Sequence, residues 1–75
     1  MKLYFENSYG LRKFLCSVST LNQANIIMSD FLKGHNYKSY YTRMWYEEEK
    51  QELWFDVGSH SEFFVLTDVK EMPTF

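Results

Sequence analysis

The chain has 75 residues, one cysteine, two histidines and a formal net charge of −2. It can form one domain, but neither an intramolecular disulfide nor, by itself, a closed zinc site. Hydrophobic residues make up 45% of it, which excludes an intrinsically disordered chain. The slightly acidic balance argues against long-range attraction to nucleic acid or to an anionic membrane. Because one cysteine and two histidines cannot close a zinc site, we expect no metal, and we expect no other cofactor.

The N-terminal segment MKLYFENSYG lacks the apolar run of a signal peptide. No stretch of the chain approaches the roughly 18 consecutive apolar residues of a membrane span. Together with the lone thiol, which fits a reducing compartment, these features lead us to expect a cytoplasmic protein with no membrane partner.

Two segments near the N-terminus alternate apolar and polar residues. Residues 2–6 place Leu3 and Phe5 on one face, and residues 12–18 show the same period. The Asn, Ser and Gly residues of segment 6–10 favour a turn between them. The pattern predicts a β-hairpin of two short strands.

One helix is predicted over residues 21–33. Thr20 suits the N-cap position, and Gln23 three residues later completes a capping box. Lys33 suits the negative end of the helix dipole, and Gly34 is a natural left-handed stop. The apolar residues of the segment have the i, i+3, i+4, i+7 spacing of one helical face. They are Ala24, Ile27, Met28 and Phe31, widened by Leu21 and Leu32.

The second half of the chain predicts three more strands. Residues 37–46 are dense in aromatics and form the longest predicted strand, and residues 51–57 and 62–67 form the other two. The order ββαβββ predicts an α+β fold, with the helix packed on one face of a single antiparallel sheet. We expect one domain over residues 1–67 and a C-terminal tail over 68–75.

The predicted core consists of the apolar residues that face the helix or lie on its buried side. They are Leu3, Phe5, Phe14, Cys16, Val18, Ala24, Ile27, Met28, Phe31, Leu53, Phe55 and Phe64.

The segment WFDVGSHSEFF (54–64) contains every residue type that a hydrolase or a metal site needs. A four-residue loop over 58–61 sets Phe55 opposite Phe64, whereas shorter loops bring like charges together or set Phe55 against Glu62. A catalytic Ser, His and Asp packed into one hairpin would be mobile and solvated. Metal binding by Asp56, His60 and Glu62, with His35 as a fourth ligand, matches no closed site. We therefore predict a turn, with Asp56 available to cap it, and no enzymatic activity.

A resemblance rests on two segments, HNYKSYY (35–41) and FDVGSHSEFF (55–64), together with KLYFEN at the N-terminus. With these segments the chain resembles a group of short uncharacterised proteins encoded by phages and prophages of Gram-positive bacteria. The resemblance implies no catalytic residues. It implies a small accessory protein in the cytoplasm of a bacterial host, where it binds a host or defence protein and modulates or inhibits it.

Basic and aromatic residues alternate along the third predicted strand. A sheet that presents aromatic rings beside cations can hold single-stranded nucleic acid. The alternative is that Tyr41 and Trp45 belong to the core, and the acidic net charge favours it. The residues of the nucleic-acid alternative are Lys38, Tyr40, Arg43 and Tyr46.

The chain has seven Phe, six Tyr and two Trp residues, more rings than so small a core can enclose. Those on the sheet face away from the helix should form an exposed apolar patch, which usually marks an interface. We expect a protein partner there, and a homodimer, because no disulfide or metal stabilises the small core. The residues expected on this surface are Tyr40, Met44, Tyr46 and Trp54, with Glu48 and Glu49 of the acidic turn.

Overall fold

A single antiparallel sheet carries the helix on one of its faces, in a computed structural model that describes residues 1–34, 43–57 and 61–72. The element order ββαβββ and the α+β class predicted from the sequence are confirmed. The described elements are β1 (Lys2–Glu6), β2 (Arg12–Ser17), α1 (Leu21–Gly34), β3 (Arg43–Glu47), β4 (Glu52–Asp56) and β5 (Phe63–Thr67). The part of the third predicted strand before residue 43 lies outside the described residues.

The strand order across the sheet is β2-β1-β5-β4-β3. The N-terminal hairpin therefore lies beside the last strand, and β5 occupies the centre. Phe64, Val65 and Leu66 of β5 are fully buried. Because neighbouring residues of a strand point to opposite faces, the centre of the sheet is covered on both sides, although α1 lies on only one of them.

The hairpin between β4 and β5 has the predicted register. Phe55 lies opposite Phe64, and Leu53 lies opposite Leu66. The N–H of Val57 donates to the carbonyl of Glu62 at 3.2 Å and closes the hairpin around a four-residue loop. Residues 58–60 of that loop, with His60, lie outside the described residues.

The helix begins at the predicted N-cap Thr20, but the side chain of Gln23 bonds the residue before the N-cap rather than the N-cap itself. The N–H of Gln23 donates to Oγ1 of Thr20 at 3.1 Å, and the N–H of Ser19 donates to Oε1 of Gln23 at 2.8 Å. The residues that α1 buries completely are spaced by four, namely Ala24, Met28 and Leu32.

The hydrophobic core lies between α1 and the sheet. Phe5, Cys16, Ile27 and Phe31 are partly buried against it rather than enclosed. Five buried hydrophobic residues were not in the predicted core, namely Leu32, Val57, Val65, Leu66 and Val69. The members of the predicted core that are buried are Leu3, Val18, Ala24, Met28, Leu53, Phe55 and Phe64.

The prediction that Phe14 belongs to the core is wrong, because its side chain is 52% exposed. A β-bulge causes the difference. Leu3 lies opposite Cys16, but the next residue, Tyr4, lies opposite Phe14, so Leu15 is an extra residue in β2. Because of the extra residue, the side chains of β2 before Leu15 point to the faces opposite to those that strict alternation predicts. Phe14 is thereby moved to the sheet face that α1 does not cover.

The chain continues to pack after β5. Asp68 has a left-handed backbone with φ of 60° and redirects the chain. Val69 is then buried in the core, its N–H donates to the carbonyl of Gln51 at 2.9 Å, and its carbonyl accepts a hydrogen bond from the hydroxyl of Tyr46. These contacts attach residues 68–69 to the side of the sheet that carries β3.

Candidate functional site

The sheet face away from α1, which we call the open face, has a row of apolar side chains that crosses the sheet and is mostly aromatic. Tyr4 lies opposite both Phe14 and Val65, and Trp54 lies opposite both Val65 and Trp45. Residues directly opposite each other in an antiparallel pair lie on the same face. One residue from each strand thus forms a row across the sheet, in the order Phe14, Tyr4, Val65, Trp54, Trp45. We call it the aromatic row.

The rings of the aromatic row contact one another and Phe63. Trp45 and Trp54 are stacked, with centroids 5.9 Å apart and planes inclined by 19°. Phe63 makes a T-shaped contact with each of them, with centroid distances of 5.7 and 5.4 Å. At the other end Tyr4 and Phe14 meet edge to face at 5.5 Å. Phe14 is largely exposed and the other rings are half-buried, so the row is a preformed aromatic platform.

Arg12 bridges the middle of this platform. Its guanidinium carbon lies 5.6 Å from the ring centroids of both Tyr4 and Trp54, which is within the range of cation–π attraction. Those two rings flank Val65 in the register, and Val65 is completely buried although it is a small residue on the open face. The position of Arg12 depends on strands that are distant in sequence.

Two carboxylates hold Arg12 in place. Nη1 lies 3.1 Å from Oε2 of Glu52, and Nη2 lies 3.2 Å from Oε1 of Glu6. Burial lowers the pKa of Arg12, but the hydrogen bonds and charges of Glu52 and then of Glu6 outweigh it, so the pKa lies above its ordinary value. Glu52 also accepts a hydrogen bond from Nε1 of Trp54 at 3.2 Å. The guanidinium is thus protonated, and the two carboxylates balance its charge and hold its position.

A second arginine is arranged in the same way at the other end of the row. Nη2 of Arg43 lies 3.1 Å from Oδ2 of Asp56, which is fully buried. Its guanidinium carbon lies 5.2 Å from the ring centroid of Trp45, and Nε1 of Trp45 donates to Glu47 at 3.2 Å. Both arginines of the open face therefore combine an aromatic contact with an internal ion pair.

The structure places the expected partner-binding residues on different surfaces. Trp54 lies on the open face, as expected. The expectation that Met44 and Tyr46 point outward there is wrong, because they lie opposite Phe55 and Leu53 and pack against the core. The register that pairs Trp45 with Trp54 fixes the faces of β3, since alternate residues of a strand share a face. Glu48 and Glu49 lie in the exposed turn between β3 and β4, and Tyr40 lies outside the described residues.

The residues of the nucleic-acid alternative do not share a surface. Arg43 lies on the open face beside Trp45, whereas Tyr46 lies on the helix side and its hydroxyl donates to Val69. Lys38 and Tyr40 lie outside the described residues. The charge of Arg43 is already neutralised by Asp56.

Sequence patterning missed most of the open face. Tyr4, Trp45 and Phe63 were not expected on it, and Arg12 was not assigned any role. One signal was present in the sequence: Lys2-x-Tyr4-x-Glu6 and Arg43-x-Trp45-x-Glu47 each place a cation, an aromatic ring and an anion on one face of a strand.

The described residues do not assemble a metal centre. Within residues 1–34, 43–57 and 61–72, three or more His, Cys, Asp or Glu residues do not come together in a way that could hold an ion. Asp56 is enclosed and paired with Arg43, and Cys16 packs against the core. Among these same residues, no helix has the length and apolar character needed to cross a bilayer.

Comparisons of the chain with protein-family models, with curated proteins and with solved structures find no match.

Proposed function

We propose that this protein is a small non-enzymatic binding module that engages another protein through the open face of its sheet. The observation that supports it is the aromatic row, which crosses all five strands and is bordered by charged side chains. Interfaces have the same composition, with aromatic and arginine anchors at the centre and polar groups at the rim.

The charges of the open face favour a protein over single-stranded nucleic acid. Among the described residues, the face has three cations, Lys2, Arg12 and Arg43, against four carboxylates. The two arginines are already held by carboxylates within the chain. Phosphate contacts supply most of the affinity for nucleic acid, and a phosphate would have to compete with these ion pairs. The carboxylates of the open face are Glu6, Glu47, Glu52 and Asp56.

The rigidity of the platform supports a binding role. Arg12 and Glu52 fix the centre of the row, and the stacked Trp45 and Trp54 fix one end. Rings that are already ordered lose little conformational entropy when a partner covers them. The resemblance to phage-encoded accessory proteins supplies the context for this proposal, in which the partner is a host or defence protein that is modulated or inhibited.

The test compares one open-face variant with one control in a capture experiment. Tagged wild-type protein, Trp54→Ala and Ile26→Ala are incubated with lysate of a Gram-positive bacterium, and the bound proteins are identified by mass spectrometry. Ile26 is 56% exposed on α1, on the opposite side of the molecule. We expect a specific partner that Ile26→Ala retains and Trp54→Ala loses. Equal capture by both variants would contradict the assignment of the open face.

A mobility-shift assay with single-stranded oligonucleotides at low and high salt tests the alternative. We expect no shift at low salt. A shift that disappears with added salt and in Arg43→Ala would indicate that the open face binds nucleic acid rather than protein.

A further inference from the structure

Strand β1, next to the edge strand β2, and the edge strand β3 have the same pattern of charges on the open face. In β1 the residues are Lys2, Tyr4 and Glu6, and in β3 they are Arg43, Trp45 and Glu47. Each strand thus has a cation and an anion on either side of a ring that belongs to the aromatic row. A two-fold axis that passes over that ring, parallel to the sheet and perpendicular to the strand, exchanges the two ends of the strand. A second copy related by this axis would therefore place its anion opposite the cation of the first copy.

We propose that a second copy of this chain covers the open face, related by a two-fold axis that runs along the aromatic row, perpendicular to the strands. The proposal rests on the proposed function of the open face as a protein interface and identifies one partner for it. The aromatic rows of the two copies then face each other. Lys2 of one copy meets Glu6 of the other, twice per dimer. Arg43 pairs with Asp56 in its own chain, but its side chain is 58% exposed, so its guanidinium can also meet Glu47 of the other copy.

The other axis in the plane of the sheet is disfavoured by charge. The row next to the aromatic row reads Arg12, Glu6, Phe63, Asp56, Arg43 in strand order. Rotation about an axis along the central strand would set Arg12 against Arg43 and Glu6 against Asp56. The ion pairs that these residues form within their own chain weaken both repulsions, but neither contact attracts, whereas the axis along the aromatic row sets opposite charges against each other. The axis along the aromatic row avoids both contacts.

The inner strand β4 does not oppose the proposed axis. Its two open-face acids, Glu52 and Asp56, would approach each other across the interface. Both are buried within their own chain and paired with Arg12 and Arg43, so their charges are compensated before the copies meet. Lys2, in contrast, is exposed and forms no ion pair within the described part of the chain, so its charge is available to a partner.

The size of the face predicts a weak dimer. Five strands about 4.8 Å apart and about five residues long give a face of roughly 400 Å², or about 800 Å² in total for two copies. Stable interfaces bury about 1,200 Å² or more, so we expect dissociation in the micromolar range or above. Twisted sheets that pack face to face are rotated by about 30°, and the long Lys, Arg and Glu side chains can accommodate that rotation.

Sedimentation equilibrium from micromolar to submillimolar concentration tests the proposal. Wild-type protein should shift from a mass of 9.1 kDa towards twice that value. Lys2→Glu and Glu6→Lys should each weaken the dimer by roughly tenfold or more, because every dimer then has two repulsive contacts in place of two attractive ones. An equimolar mixture of the two variants should recover association, since each copy supplies the charge that the other requires. Lys50→Glu, the same charge change in an exposed turn off the open face, should have no effect.

Glu6 also holds Arg12, so a second contact is tested independently. Glu47 is exposed, and Glu47→Lys would meet Arg43 of the other copy. It should weaken the dimer as Lys2→Glu does, whether or not Glu6→Lys folds. A wild-type mass of 9.1 kDa throughout, or a dimer indifferent to Lys2→Glu and Glu47→Lys, would overturn the proposal.

The two proposals fail separately. A monomeric chain whose lysate partner is lost with Trp54→Ala would exclude the dimer and leave the binding function intact. A charge-sensitive dimer with lysate capture that Trp54→Ala does not change would restrict the open face to self-association.

Discussion

Arg12 and Glu52 are forty positions apart in the sequence, yet they form an ion pair across the open face, with 3.1 Å between Nη1 and Oε2. Glu52 is only 9% exposed, and Arg12 lies between the rings of Tyr4 and Trp54. The pair therefore connects the N-terminal hairpin to β4 over the central strand. It contributes to the stability of the fold as well as to the shape of the proposed binding surface.

Removal of the arginine should destabilise the protein. Arg12→Ala removes the ion pair of the nearly buried Glu52 carboxylate, which keeps the hydrogen bond from Nε1 of Trp54. We expect a loss of about 1–3 kcal/mol in the free energy of unfolding. Urea denaturation measures it. Lys13→Ala, on the same strand, is the control and should change stability by less than about 0.5 kcal/mol. Equal losses in the two variants would contradict the role of the ion pair.

The same contact can be tested by pH. The pKa of Arg12 is raised in the folded protein. Its contribution to the free energy of unfolding is therefore fully present below the pKa of the unfolded state, and it is lost only as pH rises through the pKa of the folded state. For arginine that range lies beyond ordinary alkaline conditions. In Arg12→Lys the side-chain amine begins to lose its proton near the ordinary lysine pKa of about 10.4. The stability difference between wild type and Arg12→Lys should therefore be constant from about pH 6 to about pH 9 and widen above about pH 10. A difference that stays constant there would show that the charge does not contribute.

Phe14 and Phe55 should respond very differently to truncation. Phe55 is 1% exposed and lies in the core, so Phe55→Ala should cost about 3–5 kcal/mol or prevent folding. Phe14 is 52% exposed on the open face, and Phe14→Ala should cost less than about 1 kcal/mol. Thermal denaturation compares them. Similar losses of stability in the two variants would indicate that Phe14 lies in the core and would contradict the β-bulge in β2.

Tyr46 should act in stability and not in binding. Tyr46→Phe removes the hydroxyl that donates to the carbonyl of Val69, and we expect a loss of about 1 kcal/mol in the free energy of unfolding. The Val69 amide, which donates to Gln51, should exchange its hydrogen faster. Capture of a partner should be unchanged, in contrast to Trp54→Ala. Loss of capture with normal exchange would place Tyr46 in the interface.

The proposed absence of enzymatic activity is tested at the β4–β5 hairpin. We expect His60→Ala to leave the biological activity of the protein intact. Asp56→Ala should act only through stability, because Asp56 is buried with Arg43. Abolished activity in a His60→Ala variant with an unchanged circular dichroism spectrum would indicate chemistry in the loop.

The sequence alone determined the features that depend on neighbours along the chain. The N-cap Thr20, with Gln23 three residues later, fixed the start of α1, and its apolar spacing fixed the buried side. The choice of loop length between β4 and β5 set Phe55 opposite Phe64, because only one length avoids unfavourable cross-strand pairs. Local periodicity and turn chemistry are sufficient for such features, and they gave the α+β class.

The tertiary structure alone decided which residues share the open face. In β3 both faces have large apolar side chains, with Met44 and Tyr46 on one and Trp45 on the other, so the alternation in sequence could not indicate which side is buried. The bulge opposite Tyr4 reversed the side of Phe14, and the position of β5 beside β1 brought Arg12 to Glu52. Each of these depends on pairing between distant strands, whose partners and register are selected by the packing of the whole sheet.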